Sequence, residues 1–208
     1  MQQDNGANNI LQLCGKIVSP KTFEYEAYGE KFYTFDVETK RLSSFCDTLP
    51  VTISERLIDD NVKPGSHISI NGQLRSYNNY LDKRNKLILT VFAKDIEPCE
   101  EPASANPNEI ILNGYICKPP VFRTTPFGRE IVDILLAVNR YYNKSDYIPC
   151  IAWGRNAKYG AKLVVGDNIK ITGRLQSRAY QKKLTDGTVL DKTAYEVSIA
   201  KLELVETA

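Results

Sequence analysis

The stretch DYIPCIAWGRNAKYGAKLVVGDN, Asp146–Asn168, decides the fold. Its first part alternates. Ile148, Cys150 and Ala152 share one parity and Tyr147, Ile151 and Trp153 the other, which reads as a strand, Tyr147–Trp153, with two unlike faces. NAKYGAKLV, Asn156–Val164, carries a short helix-like pattern interrupted by glycine, and VGDN then gives a turn. Upstream, Glu109–Cys117 reads as a strand closed by a Lys-Pro-Pro turn, and Ile131–Arg140 as a second strand after the turn at Pro126–Gly128. Downstream, Asn168–Tyr180 and Thr193–Val205 read as strands joined through Thr185-Asp-Gly-Thr188, a hairpin turn signal. Five strands with one helix between the third and fourth is the order of an OB-fold barrel, whose closure removes most exposed edges.

This unit is written twice. Asn9–Pro20 (NILQLCGKIVSP) matches Ile110–Pro120 (IILNGYICKPP), with Gly15 over Gly114. Gly29 falls over Gly128, and Asp47-Thr-Leu-Pro50 over Asp146-Tyr-Ile-Pro149, all at an offset of 99. Lys63–Ser76 then matches Val164–Ser177 at an offset of 101. Matches in constant order with a slowly growing offset indicate a duplicated domain with insertions in its loops. Pro98–Pro107 (PCEEPASANP) lies between the copies and reads as a semi-extended linker. The expected architecture is all-β: two tandem five-stranded OB-fold barrels with one short helix per domain. The domains are expected at residues 1–98 and 108–208, with a Pro-rich linker over 99–107.

Composition excludes several classes. A chain of 208 residues, 42% hydrophobic and 25% charged, is an ordinary soluble globular protein long enough for two cores. The opening MQQDNGANN has no apolar run, and nothing approaches the roughly 18 apolar residues of a membrane span, so a cytoplasmic protein without membrane contact is expected. Five cysteines without a CxxC pair argue for free thiols, with neither a disulfide framework nor a zinc site. The single histidine, His67, has no partners for a triad, and no carboxylate cluster is visible. Neither an enzyme nor a cofactor or metal is expected. The net charge of +2 is uneven: Asn108–Ala208 holds 15 Lys/Arg against 10 Asp/Glu, while Met1–Pro98 holds 12 against 13. The basic half is a modest hint of a polyanion partner.

OB barrels bind oligonucleotides on one face, by stacking bases on aromatic rings and tracking phosphates with basic groups. The second half has both. Tyr147 and Trp153 share a face of the third strand; Tyr141 and Tyr142 end the second, beside Arg140 and Lys144. Tyr180 ends the fourth, near Arg178, Lys182 and Lys183, in a long basic hairpin running to Tyr195. Rings in a barrel are as readily core as binding surface, and the repeat separates these readings. The other third strand, DTLPVTIS, keeps the proline and the apolar parity but places Thr48 over Tyr147 and Ser54 over Trp153. A core that needed those rings would need bulk in both copies, so Trp153 reads as a stacking residue.

The segments NEIILNGYICKPPVFRTTPFGRE, LLAVNRYY, DYIPCIAWG and GDNIKITGRLQSRAY, in this order from Asn108 to about Glu206, resemble bacterial single-stranded DNA-binding proteins. The resemblance implies base stacking at Tyr147, Trp153, Tyr142 and Tyr180, basic contacts at Arg123 and Arg178, and no catalysis, metal or cofactor. It also implies four barrels per assembly, hence a homodimer of this two-barrel chain. Two departures stand out. The first half lacks the third-strand rings, although Tyr77 and Tyr80 lie near the equivalent of Tyr180; its Phe23, Tyr25, Tyr28, Phe32, Tyr33 and Phe35 read equally as core, interface or binding surface. The sequence stops at LELVETA, so the family's acidic recruiting tail is not expected. The leading expectation is sequence-independent binding of single-stranded DNA in replication, recombination or repair, with RNA the lesser ligand. The alternative is an assembly module of a primosome- or conjugation-like complex, with DNA contact secondary.

Overall fold

The computed structural model describes residues 8–41, 43, 45–78, 87–100, 107–183 and 187–205. The first half forms β1 (Asn9–Ile17), β2 (Thr22–Ala27), β3 (Glu30–Lys40), β4 (Cys46–Ser54), β5 (His67–Asn78) and β6 (Leu87–Pro98). The second forms β7 (Asn108–Ile116), β8 (Val121–Thr124), β9 (Glu130–Asn139), β10 (Ser145–Trp153), α1 (Gly154–Gly160), β11 (Asn168–Lys183) and β12 (Val189–Leu204). In each half the first strand pairs on both sides, β1 with β5 and β3, β7 with β11 and β9. One parallel pairing closes the circuit in each, Val51 opposite Val91 and Cys150 opposite Val197. Two OB barrels in tandem result.

Closure forces β1 and β7 to curl tightly, and Gly15 and Gly114 allow it. A Cβ at either would fall on a carbonyl oxygen of the closing strand, that of Glu38 or Ala137. The two cores are copies. Leu11, Leu13, Ile68 and Ile70 fill one, and Ile110, Leu112, Ile169 and Ile171 the other, all at most 1% exposed. Each such burial contributes about 1.5–3 kcal/mol.

Three details differ from the sequence reading. Each barrel has a sixth strand, β2 or β8, paired as a hairpin with the next. Neither strand has a buried face; β8 is only four residues long, while in β2 Phe23, Tyr25 and Ala27 do alternate with polar residues, a strand signal that the sequence reading did not use. The helix is α1, Gly154–Gly160, which starts two residues before the expected Asn156–Val164 and ends four residues short of it. The first barrel has a single 3₁₀ turn, Glu55–Leu57, in the helix's place, so the expected helix per domain is found in the second barrel only, among the described residues. Most of the expected linker, 101–106, and the start of the hairpin turn at Thr185 lie outside the described residues.

The barrels join edge to edge. β1 pairs antiparallel with β7, Asn9 opposite Leu112 and Leu13 opposite Asn108, centred on Leu11 opposite Ile110. Since Leu11 and Ile110 are themselves equivalent, a pseudo-twofold axis passes between them. Asn9 clips Leu74 within its own barrel, accepting at 2.9 Å and donating at 2.8 Å, and Asn108 clips Leu175 likewise at 3.0 and 2.6 Å.

Two buried aspartates cross this seam. Asp47 of the first barrel, 1% exposed, accepts from Ser177 N–H of the second at 2.7 Å and from its hydroxyl at 3.1 Å. Asp146 of the second, 0% exposed, accepts from Ser76 N–H of the first at 2.7 Å. Guanidinium groups neutralise both. Arg41 binds Asp47 in a fork at 2.8 and 2.6 Å and donates to the Ser177 carbonyl at 3.0 Å. Arg75 and Arg140, from different barrels, share Asp146 at 3.0 and 3.3 Å. A buried carboxylate is tolerated only with this degree of pairing.

The five cysteines are free thiols. Cys14 on β1 and Cys99 after β6 approach to 2.9 Å between sulfurs. Burial, with Cys99 beside it, pushes the Cys14 thiol up to about 12, which leaves it a poor nucleophile at neutral pH.

Burial pushes the Asp47 carboxyl up, but the hydrogen bonds from Arg41 and Ser177 outweigh it and hold it below the ordinary carboxylate value. Its stabilisation is therefore fully present above that value, about 3.9, and is lost as pH falls through the lower folded-state value. Asp47→Ala should lower the unfolding free energy at neutral pH by about 3 kcal/mol, the low end for a broken buried pair because Arg41 stays 23% exposed. Urea titrations of both proteins should show that gap closing only below about pH 3.9.

Candidate nucleic-acid interface

On β10, Ile148 and Ala152 point into the core at 0% exposure and Cys150 at 3%; on the other parity Ile151 is covered at the wall of a groove, while Tyr147 keeps 45% of its surface exposed and Trp153 40%. Neither ring is core. Trp153 ends the strand in extended backbone (φ −121°, ψ 148°), immediately before α1. Its ring borders a groove of about 500 Å³ lined by Arg123, Arg129, Arg174, Arg178 and Glu196 of its own barrel, and by Arg41 of the other.

The cations differ in their engagement. Arg123 forks onto Asp133 at 2.6 and 3.1 Å. Arg178 approaches Glu196 at 3.5 Å and lies 5.8 Å over the Tyr180 ring, joining that ring to the groove. Arg174 donates to Gln176 at 3.3 Å and has no carboxylate partner among the described residues. Burial, and then the positive charge of Arg41, hold its guanidinium below the ordinary arginine value. A cation crowded by another cation is stabilised by an arriving anion. A second hollow of about 720 Å³ shares Arg41 and Arg174 and continues the basic surface to Lys40.

The structure brings together Trp153, Arg123 and Arg178, with Tyr180 half-buried beside Arg178. Tyr147 lies on the same side of β10, outside the groove lining. Lys182 and Lys183 sit near the end of the β11–β12 hairpin, opposite Leu190 and Val189. Tyr141 and Tyr142 do not continue a strand. β9 ends at Asn139, and the pair occupies a turn in which Tyr142 and Asn143 are left-handed (φ 61° and 54°), so both rings are exposed, at 61% and 95%. Arg140 is not among the groove's lining residues. Its bond to Asp146 holds it at the seam, where it lines the corresponding groove of the first barrel.

Sequence reasoning missed Arg41, Arg129 and Arg174. Arg174 was within reach, because it shares the strand parity of Arg178, Tyr180 and Lys182. Arg129 follows a turn glycine and carried no pattern. Arg41 could not be seen, since it reaches this groove only because the barrels exchange arginines across their seam.

Comparison with known proteins bears on this surface. Residues 107–205 match the single-strand binding protein family. That match runs from the residue before β7 to the residue after β12, and so lies in the second half of the chain. Single-stranded DNA-binding protein of Clostridium tetani is 36% identical over 88 residues, covering 39% of this chain and 59% of that protein. Single-stranded DNA-binding protein A of Bacillus subtilis is 35% identical over 83 residues, covering 36% of this chain and 48% of that protein. The chain thus spans about half the length of the curated relatives it matches. The crystal structure of single-stranded DNA binding protein from Thermus aquaticus superposes with a TM-score of 0.77 over 96% of this chain and 94% of that one, at 21% identity. This likeness extends the fold to both barrels.

In the first barrel the positions of the β10 rings are not equivalent to each other. Thr48 is exposed. Ser54 is 8% exposed; its hydroxyl donates to Glu30 and accepts from Arg56 N–H at 3.2 Å, capping the 3₁₀ turn. Tyr80 lies outside the described residues. Thr48→Tyr should leave the melting temperature near wild type. Ser54→Trp should cost more than about 1 kcal/mol by removing the cap, and thermal denaturation of the two single variants measures the difference.

Proposed function

We propose that the chain binds single-stranded DNA without sequence preference and shields unpaired strands during replication, recombination or repair. The observation that carries this reading is Trp153, 40% exposed beside a groove lined by five arginines. Rings stack on any base and guanidinium groups pair with any phosphate, so such a surface reads the strand and not its sequence. Bases stack on Trp153, Tyr147 and Tyr180, with Tyr141 and Tyr142 as exposed rings at the approach to β10. Phosphates pair with Arg123, Arg129, Arg174 and Arg178, and with Lys182 and Lys183 along the hairpin. No chemical step belongs to this reading, and the protein acts in the cytoplasm. Two chains associate as a homodimer of four barrels, which sedimentation should show as twice the chain mass.

A scaffold in a multiprotein assembly is favoured by one observation, the absence of rings at Thr48 and Ser54. Trp153 is the sole tryptophan, so its emission separates the readings. Oligo-dT at low salt should quench it strongly, and added salt should reverse the quenching. Trp153→Ala should weaken binding about tenfold or more, one stacked base being worth about 1–3 kcal/mol. Arg174→Gln should flatten the log–log salt dependence by about 0.7, the share of one phosphate contact on a single strand. A protein that fails to retard single strands in a gel shift is a scaffold.

A further inference from the structure

The pseudo-twofold carries the Trp153 groove onto a groove of about 410 Å³ on the first barrel. Strand register confirms the equivalence. Phe92 stands opposite Gln73 and beside Thr52, as Ser198 stands opposite Arg174 and beside Ile151. The occupants have changed. Glu24 replaces Arg123, Arg75 replaces Gln176, Tyr77 replaces Arg178, and Arg140, reaching from the other barrel, replaces Arg41.

The lining is aromatic where its counterpart is basic. Tyr25 stacks on Phe32 with centroids 4.8 Å apart and planes at 20°, and Phe32 lies 5.8 Å from Phe92. The Arg75 guanidinium sits 6.0 Å over the Phe92 ring. Tyr25 and Tyr77 still expose 40% and 41% of their surfaces, the same degree as Trp153. Tyr77 is held by Glu24, to which its hydroxyl donates at 3.2 Å. Burial, and then the Glu24 charge, push that phenol up to about 12, so it remains a donor at any physiological pH. Partly exposed rings with two guanidinium groups beside them offer the two devices that hold a single strand.

We propose that this groove is a second base-binding site for the strand that crosses the Trp153 groove, with stacking moved from β4 to Tyr25 on β2 and Tyr77 on β5. The proposal rests on the single-strand reading above. Arg75 and Arg140 meet the backbone here, as Arg41 and Arg174 do in the other groove. Their charge is shared with Asp146, and Glu24 faces the same space. This site is therefore the weaker of the two and fills after the Trp153 groove, when the strand is long enough to cross the seam.

The test uses the whole chain with a short oligo-dT of about 8 nucleotides, within the span of one barrel, and a long one of about 35. Wild type and a Tyr25→Leu/Tyr77→Leu double variant should bind the short strand alike, with the same Trp153 quenching. The double variant should bind the long strand about tenfold or more weakly. Glu24→Gln, an exposed change that keeps an acceptor for Tyr77, should tighten the long strand severalfold and leave the short one unchanged. If the double variant is unfolded by circular dichroism, Glu24→Gln decides. Long-strand binding equal to wild type in every folded variant, with Trp153 quenching intact, overturns the second site and leaves the first. Absence of quenching and of retardation in wild type removes the single-strand reading and this site with it.

Discussion

The structure depends on two buried carboxylates that each belong to one barrel and are satisfied by the other. Asp47 and Asp146 are almost fully enclosed, and each accepts the backbone N–H of a serine across the seam. Leaving either unpaired would cost several kcal/mol, so the barrels are locked in one relative position. The β1–β7 ladder supplies the rest of the junction. It pairs two strand edges that would otherwise be open to further pairing, and converts them into the middle of a 12-stranded sheet.

The same carboxylates arrange the surface. An arginine drawn to a buried aspartate near a pseudo-twofold axis ends beside the partner barrel as well as its own. Arg41 is thus delivered to the Trp153 groove and Arg140 to the Tyr25 groove. Duplication allowed the two grooves to diverge while this exchange persisted. One kept its strand-end tryptophan and gathered arginines; the other lost the β4 rings, gained a ring at Phe92, and holds Glu24 and Tyr77 where the first has arginines. The sequence match to the single-strand binding protein family falls on the half with the tryptophan.

Much of this was legible in the residues. The alternation of β10 separated Ile148, Cys150 and Ala152 from Tyr147 and Trp153, and exposure follows that division except at Ile151, which is buried on the opposite parity. The offsets of 99 and 101 gave the duplication and, with it, the reason to place Trp153 outside the core. Less was legible where burial leaves no pattern. β2 and β8 pair along one edge without a buried face; β8 is too short to show a period, and the alternation of Phe23 and Tyr25 with Glu24 and Glu26 in β2 places its rings on Tyr33 and Phe32 and not in the core. Tyr141 and Tyr142 read as a strand end, yet local left-handed backbone turns both rings outward. Arg140 neighbours tyrosines in sequence, yet it shares its charge with Asp146 and lines the groove of the first barrel, not that of Trp153.

By itself the sequence determined the class of fold, the duplication and the face on which the tryptophan stands, because strand periodicity and repeat spacing are local properties written along one chain. Tertiary structure alone decided which cations surround that tryptophan and that the first barrel has an aromatic groove of its own. Both follow from contacts between residues far apart in sequence, Asp47 with Ser177 and Phe32 with Phe92 across the barrel wall, and no local pattern encodes a partner that only folding brings within reach.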